Sequence, residues 1–187
     1  MASVMIADRP FARIKSDDEA LFEIVDGQRV ELPPMSILAS RVASKLHVKL
    51  GQFVEANSLG EALMEVLLQL PPPVDRNRRV DVAFASAQTI AKAPPQLGSE
   101  NAWELVPELM VEVVSPSDLA NEIMERVDEY FKAGSKLVWV VYPSQRLIHV
   151  YEAPLQVHGL GIADQLEGGN ILPGFHIPVA SLFPETL

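Results

Sequence analysis

Glu112 interrupts an otherwise apolar run, Leu109-Met110-Val111-Glu112-Val113-Val114. Strand alternation puts Glu112 on one face with Met110 and Val114, and Leu109, Val111 and Val113 on the other. Apolar residues on both faces predict a strand covered on both sides. A lone carboxylate there is costly and takes up a proton unless a positive charge lies close. Asp81 poses the same problem at the start of a second short run, Val80-Asp81-Val82-Ala83-Phe84-Ala85-Ser86. If these strands pair antiparallel, the late Glu112 meets the early Asp81, and both carboxylates face one point at the end of the sheet. Two converging carboxylates beside open loops suit Mg²⁺ or Mn²⁺. An ion held there can bind a phosphodiester oxygen and lower the pKa of an attacking water. The alternative is structural: a salt bridge from Glu112 to Arg79 or Arg126.

The elements that must position these acids follow from pattern. Leu21–Leu32 alternates around Asp26-Gly27, a hairpin signal closed by Pro33-Pro34. Leu38, Val42, Leu46, Leu50, Phe53 and Val54 recur at helical spacing, predicting a helix from about Ser36 to Ala56. Glu61–Leu70 reads as a strand with Leu63, Glu65, Leu67 and Gln69 on one face and Met64, Val66, Leu68 and Leu70 on the other. Pro71–Arg79 reads as a loop, Val80–Ser86 as a strand, and the Ala/Pro/Gln/Gly-rich stretch to about Pro107 as a long loop. After the Glu112 strand comes a second helix, capped by Ser117 or Asp118 and stopped at Gly134, with Leu119, Ile123, Val127, Tyr130 and Phe131 as its apolar stripe. Lys136–Ala153 predicts two strands around Pro143-Ser144-Gln145, and turn signals at Gly168-Gly169-Asn170 and Pro173-Gly174 predict short strands in the tail. The expected fold is a mixed α/β sheet covered by helices.

The 187 residues, 48% of them hydrophobic and 21% charged, suit one domain (about 1–18 an N-terminal extension) with an ordinary core rather than a disordered chain. The absence of cysteine excludes disulfides, thiolate metal sites and cysteine nucleophiles. Met1–Ile14 lacks the apolar core of a signal peptide, and no apolar run reaches the length of a spanning helix, so the expected protein is soluble and cytoplasmic. The net charge of −10 restricts any nucleic-acid contact to local patches.

The segments FEIVDGQRVELPP, RRVDVAFAS, PELMVEVVSPSD, RVDEYFKAGSKLVWVVYP, RLIHVYEA and LPGFHIPVASLF, in that order, resemble the Uma-two family of putative restriction endonucleases, a branch of the PD-(D/E)XK nuclease superfamily. The likeness covers about Leu21 to Phe183; VEVVSPSD, the later Tyr-x-x-Ala-Gly and VWVVYP are its more specific parts. The resemblance implies a restriction-endonuclease-like PD-(D/E)XK core of helix, three strands, helix, strand, with an N-terminal hairpin and further C-terminal strands. It implies that Asp81 and Glu112 bind Mg²⁺ or Mn²⁺, that DNA is the partner, and that a homodimer cuts both strands. The superfamily lysine falls at Val114 here; the family takes its lysine from the following helix, at the position of Arg126. Arginine keeps the charge and can grip a phosphate in two contacts, but it cannot give up a proton. Arg126 lies three residues after Ile123 and four before Tyr130, at the edge of the buried stripe, where a long side chain can reach the sheet's end. Glu23 matches a frequent family glutamate. Two departures remain: Val80 replaces the proline before the aspartate, and Ser36–Ser40 lacks the family histidine.

Other signals are weaker. Arg41, Lys45 and Lys49 share a helical face, read as solvated, with phosphate contact as the alternative. Arg76, Arg78 and Arg79 either steer a nucleic acid toward the acids or offset Asp75 and Asp81. The four histidines lack metal-ligand spacing. Trp139 and Trp103 are expected in the core, although Trp103 in the long loop could touch a ligand. The leading expectation is a metal-dependent endonuclease with Asp81 and Glu112 on the ion and Arg126 on the phosphate. The competitors are a silent nuclease-fold binding protein and an interaction domain whose acids are structural.

Overall fold

The computed structural model describes residues 21–94 and 102–184. The N-terminal extension expected over about 1–18 lies outside them. The first hairpin pairs β1 (Phe22–Val25) with β2 (Gln28–Glu31). Its turn residues Asp26 and Gly27 both have positive φ, 51° and 75°, which suits a two-residue hairpin turn. Helix α1 (Ile37–Ala56) begins where the Ser36 hydroxyl accepts from the Ala39 N–H at 3.2 Å, and Ala39, Val42, Ala43, Leu46, Leu50 and Val54 form its buried stripe.

Strands β3 (Gly60–Gln69) and β4 (Asn77–Ser86) follow, then a short helix α2 (Ala87–Lys92), β5 (Leu109–Val113), helix α3 (Ala120–Ala133), β6 (Leu137–Tyr142), β7 (Leu147–Ala153) and β8 (Gln156–Leu160). A small hairpin, β9 (Gln165–Gly168) with β10 (Leu172–Pro178), and a 3₁₀ turn at Val179–Leu182 close the described chain. From α1 to β6 the order is helix, three strands, helix, strand, with α2 added before β5.

The main sheet runs β2-β1-β4-β5-β6-β7-β8, with β3 on β4. β3 pairs along β4 from Ser86 back to Asn77, so the other edge of β4 is divided: β1 meets it at Asn77 and β5 from Val82 to Phe84. Among the described residues, every strand-to-strand pairing in this sheet is antiparallel except β5–β6, which α3 joins. One face packs Val82, Phe84, Val111 and Trp139 against α1, Leu166, Leu172 and Phe175. The other packs Val80, Met110, Val138 and Val140 against Ile123, Val127 and Tyr130 of α3. Each large side chain buried in these layers contributes about 1.5–3 kcal/mol. Among the described residues, no helix is long and apolar enough to cross a membrane.

Several expectations need correction. Asn77–Arg79 belong to β4, not to the preceding loop, because β1 and β3 pair with Asn77. The stretch after Ser86 is not all loop: the Ser86 hydroxyl accepts from the Thr89 N–H and starts α2, while 95–101 lie outside the described residues. Neither Ser117 nor Asp118 caps α3; the N-cap is Leu119, without a side-chain bond, and Asp118 instead accepts from the Ser115 N–H at 2.7 Å. Gly134 does end α3, in the left-handed region at φ 116°. The two faces of β3 also exchange midway. Ala62 and Met64 pack on the α1 side, but Val66 and Leu68 pack on the α3 side. The switch falls at Glu65, a non-glycine residue at φ 49°. β4 switches opposite it: Val80 lies on the α3 side and Val82 on the α1 side, with Asp81 between.

Candidate functional site

The divided edge of β4 creates the site. β1 and β5 part there, and side chains take over the backbone groups in the gap. Glu23 Oε1 accepts from the Arg79 N–H at 2.9 Å, and Asp81 Oδ2 accepts from the Val113 N–H at 2.6 Å. One step beyond the last β4–β5 pair, Val82↔Val111, come Asp81 and Glu112 on adjacent antiparallel strands. The expected meeting of the two acids is therefore present. A cavity with about 100 Å³ of room is lined by Asp81, Glu112, Arg126, Arg79 and Glu65, with Ser115 and Asp118 at the end of β5. That is room enough for several waters. The start of α1 is fastened beside it, where the Ser36 N–H donates to the Ser115 hydroxyl at 3.3 Å.

Glu112 is buried. The Tyr130 hydroxyl donates to its Oε1, and the same oxygen lies 4.0 Å from Arg126 Nη1. Burial raises the Glu112 carboxyl above the usual carboxylate range, and Arg126 and Tyr130 offset this only in part. Asp81 goes well above that range, first through burial and then through the Glu112 charge; the Val113 N–H and Arg126 pull it back incompletely. Burial and the Glu112 charge likewise push the fully buried Tyr130 hydroxyl well above its ordinary value, so it remains a donor.

The site has too little positive charge for its two acids. Arg126 lines the cavity, but its fork is held by Glu23, with Nη1 2.6 Å from Oε1 and Nη2 3.0 Å from Oε2. Burial works against its charge, yet Glu112, Tyr130 and Glu23 hold its pKa above the ordinary guanidinium value. Glu23 is not at the cavity wall. It is buried behind Arg126 and starts a chain of ion pairs: Arg78 Nη1 at 2.9 Å from Glu23, Arg78 Nε at 2.7 Å from Glu129, and Arg76 Nη1 at 2.5 Å from Glu129. Arg76 then reaches Glu125 at 2.6 Å and the exposed Asp26 at 3.1 Å.

The structure thus gathers Asp81, Glu112 and Arg126 in one cavity and sets Glu23 one layer back. Of the three clustered arginines, Arg76 and Arg78 are tied into the ion chain, and Arg79 alone faces the cavity. Arg41 is exposed and Lys45 and Lys49 are half-buried; among the described residues none of the three has a carboxylate within salt-bridge distance. Trp139 is fully buried, and Trp103 is half-buried with its indole N–H on the Pro94 carbonyl at 3.1 Å. The sequence reading missed Tyr130 as a donor to Glu112 and Glu129 as a partner of two arginines. The one available signal was a glutamate four residues after Glu125, on the stripe side of α3.

The donor set accommodates a small divalent ion. Among the described residues, no group of three or more His, Asp or Glu converges as a ready-made metal cage. Asp81 Oδ1 and Glu112 Oε2 nonetheless carry no hydrogen bond from these residues, while the other oxygen of each is held by a donor. Mg²⁺ commonly binds through one or two carboxylates and keeps its remaining waters. A dication would also offset the burial that raises both acids and the Glu112 charge that raises Asp81 further.

The crystal structure of a "putative nuclease belonging to DUF820" from Anabaena variabilis superposes with a TM-score of 0.74 at 16% identity, covering 87% of this chain and 89% of that one. That likeness is one of fold. Residues 9–180 match the profile of Uma2, described as "Putative restriction endonuclease". The chain belongs to the Uma2 family. No curated protein matches it.

Proposed function

We propose that this protein is a divalent-metal-dependent endonuclease of the PD-(D/E)XK type that hydrolyses phosphodiester bonds in DNA in the cytoplasm, a homodimer presenting one site to each strand. The observation that carries this reading is the convergence of Asp81 and Glu112, from neighbouring strands, on one open cavity with a free oxygen each. In this reading Asp81 and Glu112 hold Mg²⁺ or Mn²⁺, which when bound polarises the phosphodiester and makes a water more acidic. Tyr130 fixes one Glu112 oxygen and so aims the other into the cavity. The Val113 N–H does the same for Asp81. Arg126, steadied by Glu23, places positive charge beside the cavity, where negative charge develops on the phosphate. It does not exchange the proton of the water. Metal binding also explains why two acids sit together with too few counter-charges, which a purely structural role does not.

A second reading, a nuclease fold that binds nucleic acid without cutting it, is favoured by one observation: both terminal nitrogens of Arg126 are already bonded to Glu23. The two part in one experiment. Purified protein is titrated with Mg²⁺ and Mn²⁺ while melting temperature and cleavage of plasmid and single-stranded DNA are followed, with Asp81→Ala and Glu112→Ala alongside. Metal stabilisation with cutting, both lost in the variants, supports the nuclease. Stabilisation without cutting supports the silent binder, and recovery of cutting in Arg126→Lys identifies the arginine as the cause. A response to neither metal removes the metal site.

A further inference from the structure

The second guanidinium at the cavity wall differs from the rest of its cluster. Arg76, Arg78 and Arg126 each have at least one carboxylate within 3 Å. Arg79 has none among the described residues. Its Nη1 donates to the Glu65 backbone carbonyl at 2.6 Å, and its Nε is buried with no acceptor. A buried donor without a partner is costly, and such groups in native structures often mark a missing water or ion.

The backbone holding Arg79 is also unusual. The β3–β4 ladder is paired at Met64↔Val82 and again at Val66↔Val80, but not at the position between them, where Glu65 faces Asp81. Glu65 sits there at φ 49°, a conformation that costs a non-glycine residue about 1 kcal/mol or more and persists only where its surroundings impose it. Its carbonyl is the one that holds Arg79. A single distortion therefore interrupts the ladder beside a candidate metal ligand and fastens a guanidinium at the same cavity wall. Burial lowers the Arg79 pKa from its ordinary value, while the more distant charges of Glu65 and Glu23 oppose that; arginine remains charged at neutral pH.

We propose that Arg79 is the phosphate-binding residue of this cavity: the guanidinium donors not taken by the Glu65 carbonyl grip a non-bridging oxygen of a phosphodiester lying beside the two acids. This rests on the nuclease reading and adds to it a residue outside the two acids and the helix position. The division of labour follows from the ion pairs. Arg126 is committed to Glu23 and sets the potential of the site, whereas Arg79 has donors to give. A planar guanidinium suits a phosphate, and a charge-assisted bond of this kind contributes more than a neutral one.

The test is fluorescence anisotropy of a fluorescein-labelled DNA duplex with the full chain, in Ca²⁺ to hold the site charged, over a KCl series. Arg79→Met and Arg79→Lys are compared with the wild type, and a Mn²⁺ thermal-shift titration is run on each. Arg79→Met keeps the length of the side chain, and its melting curve shows whether it is folded. The expected result is DNA binding weakened about tenfold in Arg79→Met, with the salt dependence reduced by about one phosphate contact. Arg79→Lys should recover part of that loss, and the Mn²⁺ midpoint should stay within about twofold of wild type. Wild-type DNA affinity in a folded Arg79→Met variant overturns the inference and leaves the metal reading intact. A wild-type protein that responds to neither Mn²⁺ nor DNA overturns both.

Discussion

Two groups of buried charge lie within a few residues of each other and are built on opposite plans. In the ion chain, Glu23 and Glu129 are each clasped between arginines: Arg126 and Arg78 on one, Arg78 and Arg76 on the other. In the cavity, Asp81 and Glu112 face each other, and among the described residues the one arginine within salt-bridge distance of either is Arg126, 4.0 Å from Glu112 and already shared with Glu23. Both groups meet the same penalty for taking charge out of water. The chain meets it with counter-ions from its own sequence. The cavity does not, and its acids are consequently held above the usual carboxylate range. Glu108, just before β5, follows the first plan with neutral donors: the Ser86 N–H and hydroxyl at 2.9 and 2.7 Å and the Thr89 hydroxyl at 2.5 Å. These bonds outweigh its burial and bring it below the usual range. A carboxylate placed for structure is thus saturated by donors, whereas each cavity acid keeps one oxygen without a hydrogen bond from the described residues.

The contrast predicts opposite responses to removing charge. Glu23→Ala has the largest expected effect, because it strips Arg126 of both its short carboxylate bonds and leaves Arg78 with Glu129 alone. Breaking a buried pair in this way costs about 3–5 kcal/mol, seen as a fall in the urea midpoint at unchanged slope. A loss below 1 kcal/mol would show that the chain is not the scaffold described.

Asp81→Asn should do the reverse and stabilise the metal-free protein. The sign follows from the raised carboxyl. In the unfolded chain Asp81 ionises near the ordinary aspartate value, about 3.9, so between that pH and its folded value the native state holds the extra proton. Stability of the wild type therefore falls as the pH rises through this window, and the loss is complete above the folded value. The advantage of the variant should be absent near pH 4 and grow toward neutrality, reaching about 2–4 °C for each kcal/mol relieved. The same variant should gain no stability from Mn²⁺. A destabilised Asp81→Asn at neutral pH would move Asp81 into the structural group with Glu108.

Tyr130→Phe sharpens the comparison at a single hydrogen bond. It leaves the ring in the core but removes the donor on Glu112. Metal affinity should fall about tenfold, as when a supporting bond is removed from a metal ligand, with a smaller change in melting temperature. Isothermal titration with Mn²⁺ checks both the size and the stoichiometry. The smallest effect belongs to the exposed Lys132–Asp128 pair on α3, four residues apart at 2.6 Å. Lys132→Ala should leave the melting curve unchanged within error, since solvent screens such pairs.

Much of the site's frame was legible because strand and helix patterns are local. The alternation around Glu112, the position of Asp81 at the start of an apolar run and the order of elements led to the expectation that the acids meet if their strands pair antiparallel, and the β4–β5 register supplies that pairing. Cap and boundary details were less legible. Asp118 has the right chemistry to cap α3 but is drawn to Ser115 instead, and Asn77–Arg79 look like loop until β3 supplies a partner for each of them. The Glu65 distortion leaves no trace in composition, since its residue type does not favour positive φ.

By itself the sequence determined most of the strands, the two long helices and that acids such as Glu112 fall within apolar runs, since periodicity depends on neighbours within a few residues. Only the tertiary structure decided which of those charges are neutralised. Glu23 meets Arg126 across 103 positions and Arg78 across 55, and Arg78 meets Glu129 across 51. Such pairings depend on where β1 docks against β4 and how α3 lies over the sheet. Coulombic attraction acts through space rather than along the chain, so whether an acid lies two or ten ångströms from an arginine is fixed only when strand register and helix docking are fixed.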